Sequence, residues 1–251
     1  MTFYFYLLYL HTKSAMNLDI FCPLAPNSTP YAEYLYRNLN KLKSGKHALR
    51  FWGLISSLDN NTSDHPKGWL TIPVKTDSIH PIGISKPAVN HAKLLNQIEF
   101  RIPDDSDVTI ITDCDMFIFP HNWDDFIYRS TREYDCIGTE KHDGSLRMFF
   151  IAFPTFVYKT LQPDWMPGKD DRYECGWEHR KSGTRIVADT GWKLEDLLIE
   201  NEKIYYKFNL MDGTYYYYGQ AFCAHLGGSH HKEFNSPEVK KWYQTCKQKV
   251  Y

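Results

Sequence analysis

A chain of 251 residues fits one large domain or two small ones, and with 43% apolar and 16% aromatic residues it can bury a sizeable core, which excludes an intrinsically disordered chain. A formal charge of −1 and the lack of a long basic block exclude nucleic acid as a main partner. Six scattered cysteines with no C-x-x-C pair exclude a disulfide framework and read as reduced thiols of a cytoplasmic compartment.

The first segment, FYFYLLYL (3–10), is about half as long as a membrane helix and lacks a basic flank, so no transmembrane segment is expected. Residues 1–15 read as a mis-called start or a disordered extension, with a weak membrane-surface association as the alternative. From Met16 onward the elements alternate. LDIFCPLAP (18–26) is a buried strand. A helix follows with Ser28 or Thr29 as cap, Pro30 at its first turn and Tyr31, Tyr34, Leu35, Leu39 and Leu42 on one face, ending at Gly45. HALRFWGLIS is a second strand. Residues 57–84, rich in Asn, Asp, Pro and Gly, read as a long loop over the sheet edge, with WLTIPV a short apolar piece within it.

SKPAVNHAKLLNQIEFRI returns to helical spacing, and VTIITDCDMFIF reads as the central strand. NWDDFIYRS is a short helix, YDCIGTE a strand, and LRMFFIAFPTFVYKTL a strand and a turn. DTGWKLEDLLIENE reads as a helix opened by a capping Asp. KIYYKFNL and TYYYYGQAFCAHL are late strands, and SPEVKKWYQTCKQ is a terminal helix with a solvated basic face. This order predicts an α/β fold with a Rossmann-like, mainly parallel central sheet flanked by helices.

Asp113 and Asp115 stand at the end of the apolar run VTII. Buried carboxylates are expensive unless a cation or several donors compensate them. In an extended chain, residues i and i+2 point the same way, so both acids face one site. Ligands of open α/β sheets bind beyond the carboxyl ends of the strands, and two carboxylates there can hold Mg²⁺ or Mn²⁺. A second copy of the pattern, Asp105-Ser106-Asp107, precedes the strand and reads as a solvated turn. Cys114 and Cys223 lie close in sequence to acids or histidine, but no tetrahedral spacing supports zinc.

His225 ends an apolar run before Gly227 and Gly228. It reads either as a divalent-metal ligand or as a histidine hydrogen-bonded at a strand end, and the glycines would let backbone amides approach a diphosphate. Asp189 reads equally as a helix cap and as a general base, and the roles are compatible. Glu195 and Asp196 are weaker base candidates. Trp165, Trp177 and Trp192 could stack on sugar rings, although such residues are more often core. His230 and His231 read as solvated.

With IFCPLAP, NHAKLLNQI, DCDMF, DTGWKLEDLL and AFCAHLGGS in this order, the chain resembles glycosyltransferases of the GT-A type over residues 17–235. The resemblance implies one GT-A-like domain over 16–251. Its nucleotide-binding half is about 16–120, its mixed acceptor-binding half about 121–235, and its C-terminal helix 236–251. It implies a metal-dependent transfer of a sugar from a nucleoside-diphosphate sugar donor to an acceptor hydroxyl, with Mn²⁺ or Mg²⁺ as cofactor. By the same resemblance Asp113 contacts ribose or metal, Asp115 and His225 bind the metal, and Pro23, His91 and Asn96 approach the nucleotide. The first strand lacks the IIPxYN pattern of common inverting members, and DTG replaces their Glu-Asp pair. The rival readings are a nucleotidyltransferase on a related fold and a non-catalytic sugar-binding module. CPLAPNSTP, with no Gly, Lys or Arg, does not suit the phosphate loop of the first rival. A D-x-D-x-T phosphohydrolase would want Thr or Val where Met116 and Phe117 stand.

Overall fold

The computed structural model describes residues 14–25, 27–56, 65–75, 86–141, 144–169, 187–188, 190–227 and 232–251. The elements are β1 (Asn17–Leu24), α1 (Thr29–Leu42), β2 (Ala48–Ser56), β3 (Leu70–Val74), α2 (Lys86–Leu95), β4 (Val108–Thr112), β5 (Met116–Ile118), α3 (Trp123–Glu133), β6 (Cys136–Glu140), β7 (Leu146–Pro154) and α4 (Thr155–Leu161). They continue as β8 (Gly168–Lys169), β9 (Val187–Ala188), α5 (Leu194–Glu200), β10 (Tyr205–Met211), β11 (Thr214–Tyr217), β12 (Gln220–His225) and α6 (Pro237–Lys247). Ten of the strands form one sheet in the order β3-β2-β1-β4-β7-β6-β10-β11-β12-β5, and β8 and β9 pair separately. The first four strands are all parallel, and β6 and β10 form a further parallel pair; β7, β11, β12 and β5 bring antiparallel pairings into the later part of the sheet. This is the α/β architecture expected, with a parallel first half and a mixed second half.

Alternation along the strands decides which layer each residue enters. Leu18, Ile20, Val108 and Ile110 join Tyr31, Leu35, Leu39 and Leu42 of α1 and Val239 and Tyr243 of α6 in one core layer. Phe21, Ile111, Ile151 and Phe153 join Ala92 and Leu95 of α2, Val157 and Leu161 of α4, and Leu194 and Leu198 of α5 in the other. The period of two in the strands and the helical period in the connections thus coat both faces of the sheet.

The run 108–119 is two strands rather than one. β4 stops at Thr112 beside β1 and β7, the chain turns through Cys114 and Asp115, and β5 begins at Met116 and pairs with β12. Four peptide steps from Thr112 to Met116 reach at most about 14 Å. Crossing the five strands that separate β4 from β5 in a flat sheet would need about 29 Å at the usual spacing. The sheet therefore curls until its far end meets the carboxyl end of β4.

Other expectations change in detail. Leu70–Val74 is a strand on the sheet edge, not loop, and Pro73 is tolerated there because, among the described residues, β3 pairs on one side only. Residues 57–64 and 76–85 lie outside the described residues. TFVYKTL is the helix α4 rather than a turn. TYYYYGQAFCAHL is a hairpin, turning at Tyr218 and Gly219 with φ of 44° and 82°. The helix after DTG starts at Leu194 with Lys193 at its cap position, and the Leu194 N–H bonds the carbonyl of Gly191, which turns at φ 75°; Asp189 lies outside the described residues. Asp107 is not solvated, because its Oδ2 accepts from the Asn17 N–H at 2.8 Å at the buried end of β1. Of the N-terminal extension expected over residues 1–15, residues 1–13 lie outside the described residues. Met16 is buried, and its carbonyl accepts from the Ala48 N–H. No described helix is long and apolar enough to cross a membrane.

Candidate metal centre

β1 and β4 run in register with Phe21 opposite Ile111. Pro23 and Asp113 each stand two residues further on, which places them side by side at the carboxyl edge of the sheet. Asp113 closes β4: its N–H donates to the Phe149 carbonyl at 2.9 Å, one step beyond the pairing of Thr112 with Phe150. As the second residue after Ile111, Asp113 also shares the face that packs on α2. Asp115 follows in the turn with 3% of its surface exposed. Its carbonyl accepts from the Leu226 N–H at 3.1 Å, and the β5–β12 register sets Met116 opposite His225. That register delivers the imidazole to the acids across 110 residues of sequence.

His225 Nε2 lies 3.0 Å from Asp115 Oδ1 and 3.4 Å from Asp113 Oδ2. The Phe149 ring stacks on the imidazole with centroids 4.3 Å apart. Burial works against a charge on His225, but the carboxylates of Asp115 and Asp113 outweigh it and push its pKa from 6.5 up to about 10. The same negative field reaches the Tyr31 phenol, which burial first, then Asp115 and Cys114, push up to about 12. A site that draws a proton onto a buried imidazole has the potential to hold a divalent cation.

The fit to such a cation can be tested on the donor atoms. One atom each from Asp113, Asp115 and His225 lie within 4.8 Å of one another. Ligands about 2.1 Å from an octahedral ion stand about 3 Å apart when adjacent. The separations of 3.0 and 3.4 Å from His225 to the two carboxylates are those of adjacent positions on that sphere. The two carboxylates suit Mg²⁺ or Mn²⁺. No cysteine enters the group among the described residues. Cys114 instead hydrogen-bonds the buried Cys22 thiol, whose pKa is raised by burial and then by that bond.

The other sequence candidates divide. The structure brings His91 to the centre, with Nε2 3.5 Å from Asp113 Oδ1. Asn96 is not brought there: its side chain donates to Asp164 Oδ1 and accepts from the Trp165 N–H, tying the end of α2 to the segment after α4. Gly227 adopts φ 70°, and a Cβ there would meet open space. Gly228, Asp189, Trp177, His230 and His231 lie outside the described residues. Glu195 is committed to the Leu146 N–H, the Tyr205 hydroxyl and the Lys207 ammonium. Trp165 and Trp192 are core residues.

Two contributors escaped the sequence reading. Phe149 anchors the site through its carbonyl and its ring. Asn38, on the buried face of α1, accepts from the Ile118 N–H at 2.8 Å and donates to the Ile118 carbonyl at 3.1 Å, which fixes β5 and the turn before it. The signal for Asn38 was present, since it falls at helical spacing between Leu35 and Leu42. Nothing local marks Phe149.

Comparisons with known proteins return structures and no close relatives: no family model matches the chain, and no curated protein does. The chain is similar in structure to a Drosophila beta-1,4-galactosyltransferase 7 variant in complex with manganese, UDP-Gal and xylobiose, at 10% identity over 90% of this chain and 79% of that one, with a TM-score of 0.49. A proposed nucleotide-diphospho-sugar transferase from Desulfovibrio desulfuricans is similar at 9% identity, over 94% and 98% of the two chains, with a TM-score of 0.45. The 4-diphosphocytidyl-2C-methyl-D-erythritol synthase of Anaerococcus prevotii is similar at 7% identity, over 77% and 86%, with a TM-score of 0.43.

Proposed function

We propose that the chain is a metal-dependent glycosyltransferase that moves a sugar from a nucleoside-diphosphate sugar to an acceptor hydroxyl. The observation that carries this reading is the convergence of Asp113, Asp115 and His225 at the carboxyl edge of an α/β sheet. Asp113, Asp115 and His225 would hold Mn²⁺ or Mg²⁺, which supplies charge neutralisation for the departing diphosphate, a contribution of several kcal/mol in such sites. Pro23 at the end of β1 would flank the nucleotide, and Gly227 and Gly228 would leave room for backbone amides to approach the phosphates. Asp189 would take the proton of the acceptor hydroxyl as that oxygen attacks the sugar carbon. The five described cysteines are free thiols, which supports a reducing, cytoplasmic setting.

A thermal-shift panel of nucleoside-diphosphate sugars, with and without Mn²⁺, tests the reading. Stabilisation follows affinity by mass action. The expected result is a donor-dependent rise in Tm that requires Mn²⁺ and disappears in Asp115→Ala. An unchanged response in that variant would remove the metal assignment. A rise with nucleoside triphosphates and none with nucleoside-diphosphate sugars would favour the nucleotidyltransferase reading.

A further inference from the structure

Asp113 has two carboxylate oxygens with different neighbours. Oδ2 faces His225, a member of the ligand group, at 3.4 Å. Oδ1 faces His91 at 3.5 Å, and His91 does not belong to that group. The acid is thus bracketed by two imidazoles from different layers of the fold, one on β12 and one on α2. The terminal torsion of an Asp side chain is broad, so a carboxylate without a partner on its outer oxygen swings through many orientations. An N–H held against the outer oxygen of a metal-ligating carboxylate fixes which oxygen the metal receives.

The helix that carries His91 is built to hold it still. Val89, Ala92 and Leu95 are fully buried against the sheet, and Asn96 clamps the end of the helix through Asp164 and Trp165. His91 itself keeps 29% of its side chain exposed, so packing is not what it is for.

We propose that His91 is a positioning residue for the metal centre, holding Asp113 by Oδ1 so that Oδ2 is presented to the ion beside Asp115 and His225. The proposal rests on the metal reading of the Asp113–Asp115–His225 group. It assigns His91 to the metal ligand, not to the nucleotide, and so predicts an effect when no nucleotide is present.

The test is Mn²⁺ binding to the full chain without nucleotide, measured by calorimetry and by the spin-resonance signal of free Mn²⁺. The parent is expected to bind one Mn²⁺ and Asp115→Ala to lose it, which checks the metal reading independently. His91→Ala is expected to weaken Mn²⁺ binding by roughly 10- to 100-fold, the usual cost of losing an outer partner of a ligand. His91→Gln, which restores an N–H donor, is expected to recover most of that loss, with both variants melting near the parent. An Mn²⁺ affinity of His91→Ala equal to that of the parent overturns the proposal. Equal losses in His91→Ala and His91→Gln overturn it too, as does a loss that appears only when a nucleoside diphosphate is added. A parent that binds no Mn²⁺ removes the metal reading and the proposal together.

Discussion

Asp115 and Asp189 represent two kinds of acid in this chain. Asp115 is nearly sealed from water, and its charge is compensated at 3.0 Å by His225. Removing Asp115 takes from the buried His225 the nearer of its two carboxylate partners, so its substitution acts on the site as a whole. Asp189 lies outside the described residues, and its proposed role is chemical. Asp189→Asn preserves size and hydrogen-bonding oxygen but cannot take a proton. Turnover should fall roughly 10²–10⁴-fold, the usual worth of a positioned base, while donor affinity stays near the parental value. Steady-state kinetics with separate donor titration checks this, and the product anomer should be inverted relative to the donor. Near-parental turnover would end the base assignment.

Among the elements, α5 shows how a short helix is anchored by one charged side chain. Leu194 and Leu198 are buried under it, and Glu195 ties it to two strands through Leu146 on β7 and Tyr205 and Lys207 on β10. Burial alone would raise the pKa of Glu195. The Lys207 ammonium, the Leu146 N–H and the Tyr205 hydroxyl overcome it and hold the carboxyl below its ordinary value of 4.5. A depressed carboxyl contributes stability that is complete above the unfolded-state value and is lost as pH falls through the lower folded-state value. Glu195→Gln should therefore be less stable than the parent at neutral pH, with the gap closing only below about pH 4.5. Urea midpoints at pH 7, 5, 4 and 3 read this directly. A gap that stays constant across that range would show that Glu195 acts through packing rather than charge.

At the scale of the molecule, the sheet binds the two halves to each other. β5 belongs to the first half in sequence, yet it stands beside β12, and β7, β6, β10, β11 and β12 lie between it and β4. The buried face of β4 is also covered by α4 from the second half. A fragment of residues 16–120 should consequently expose apolar strand edges and show no cooperative urea transition, whereas the full chain should unfold in one step by circular dichroism and tryptophan fluorescence. A cooperative transition in the fragment would show that the first half holds its own core.

Periodicity and composition by themselves determined most of the elements, because buried strands and amphipathic helices must carry apolar residues at spacings that local geometry imposes. They also singled out Asp113 and Asp115, since two acids closing an apolar run are costly without a partner. Tertiary structure decided how those acids come together. They converge through a turn between two strands, not along one extended strand, because β5 is drawn away from β4 to the edge of β12. It decided that His225 belongs with them, through a register set 110 residues away, and that Asn96 does not, its amide being taken by Asp164 and Trp165. Asp105-Ser106-Asp107 carries the same letters as the site and ends up at the amino edge, tied to Arg50 and Asn17. The chemistry follows the strand direction: the same pair of acids meets a histidine only at the edge where the sheet curls back on itself.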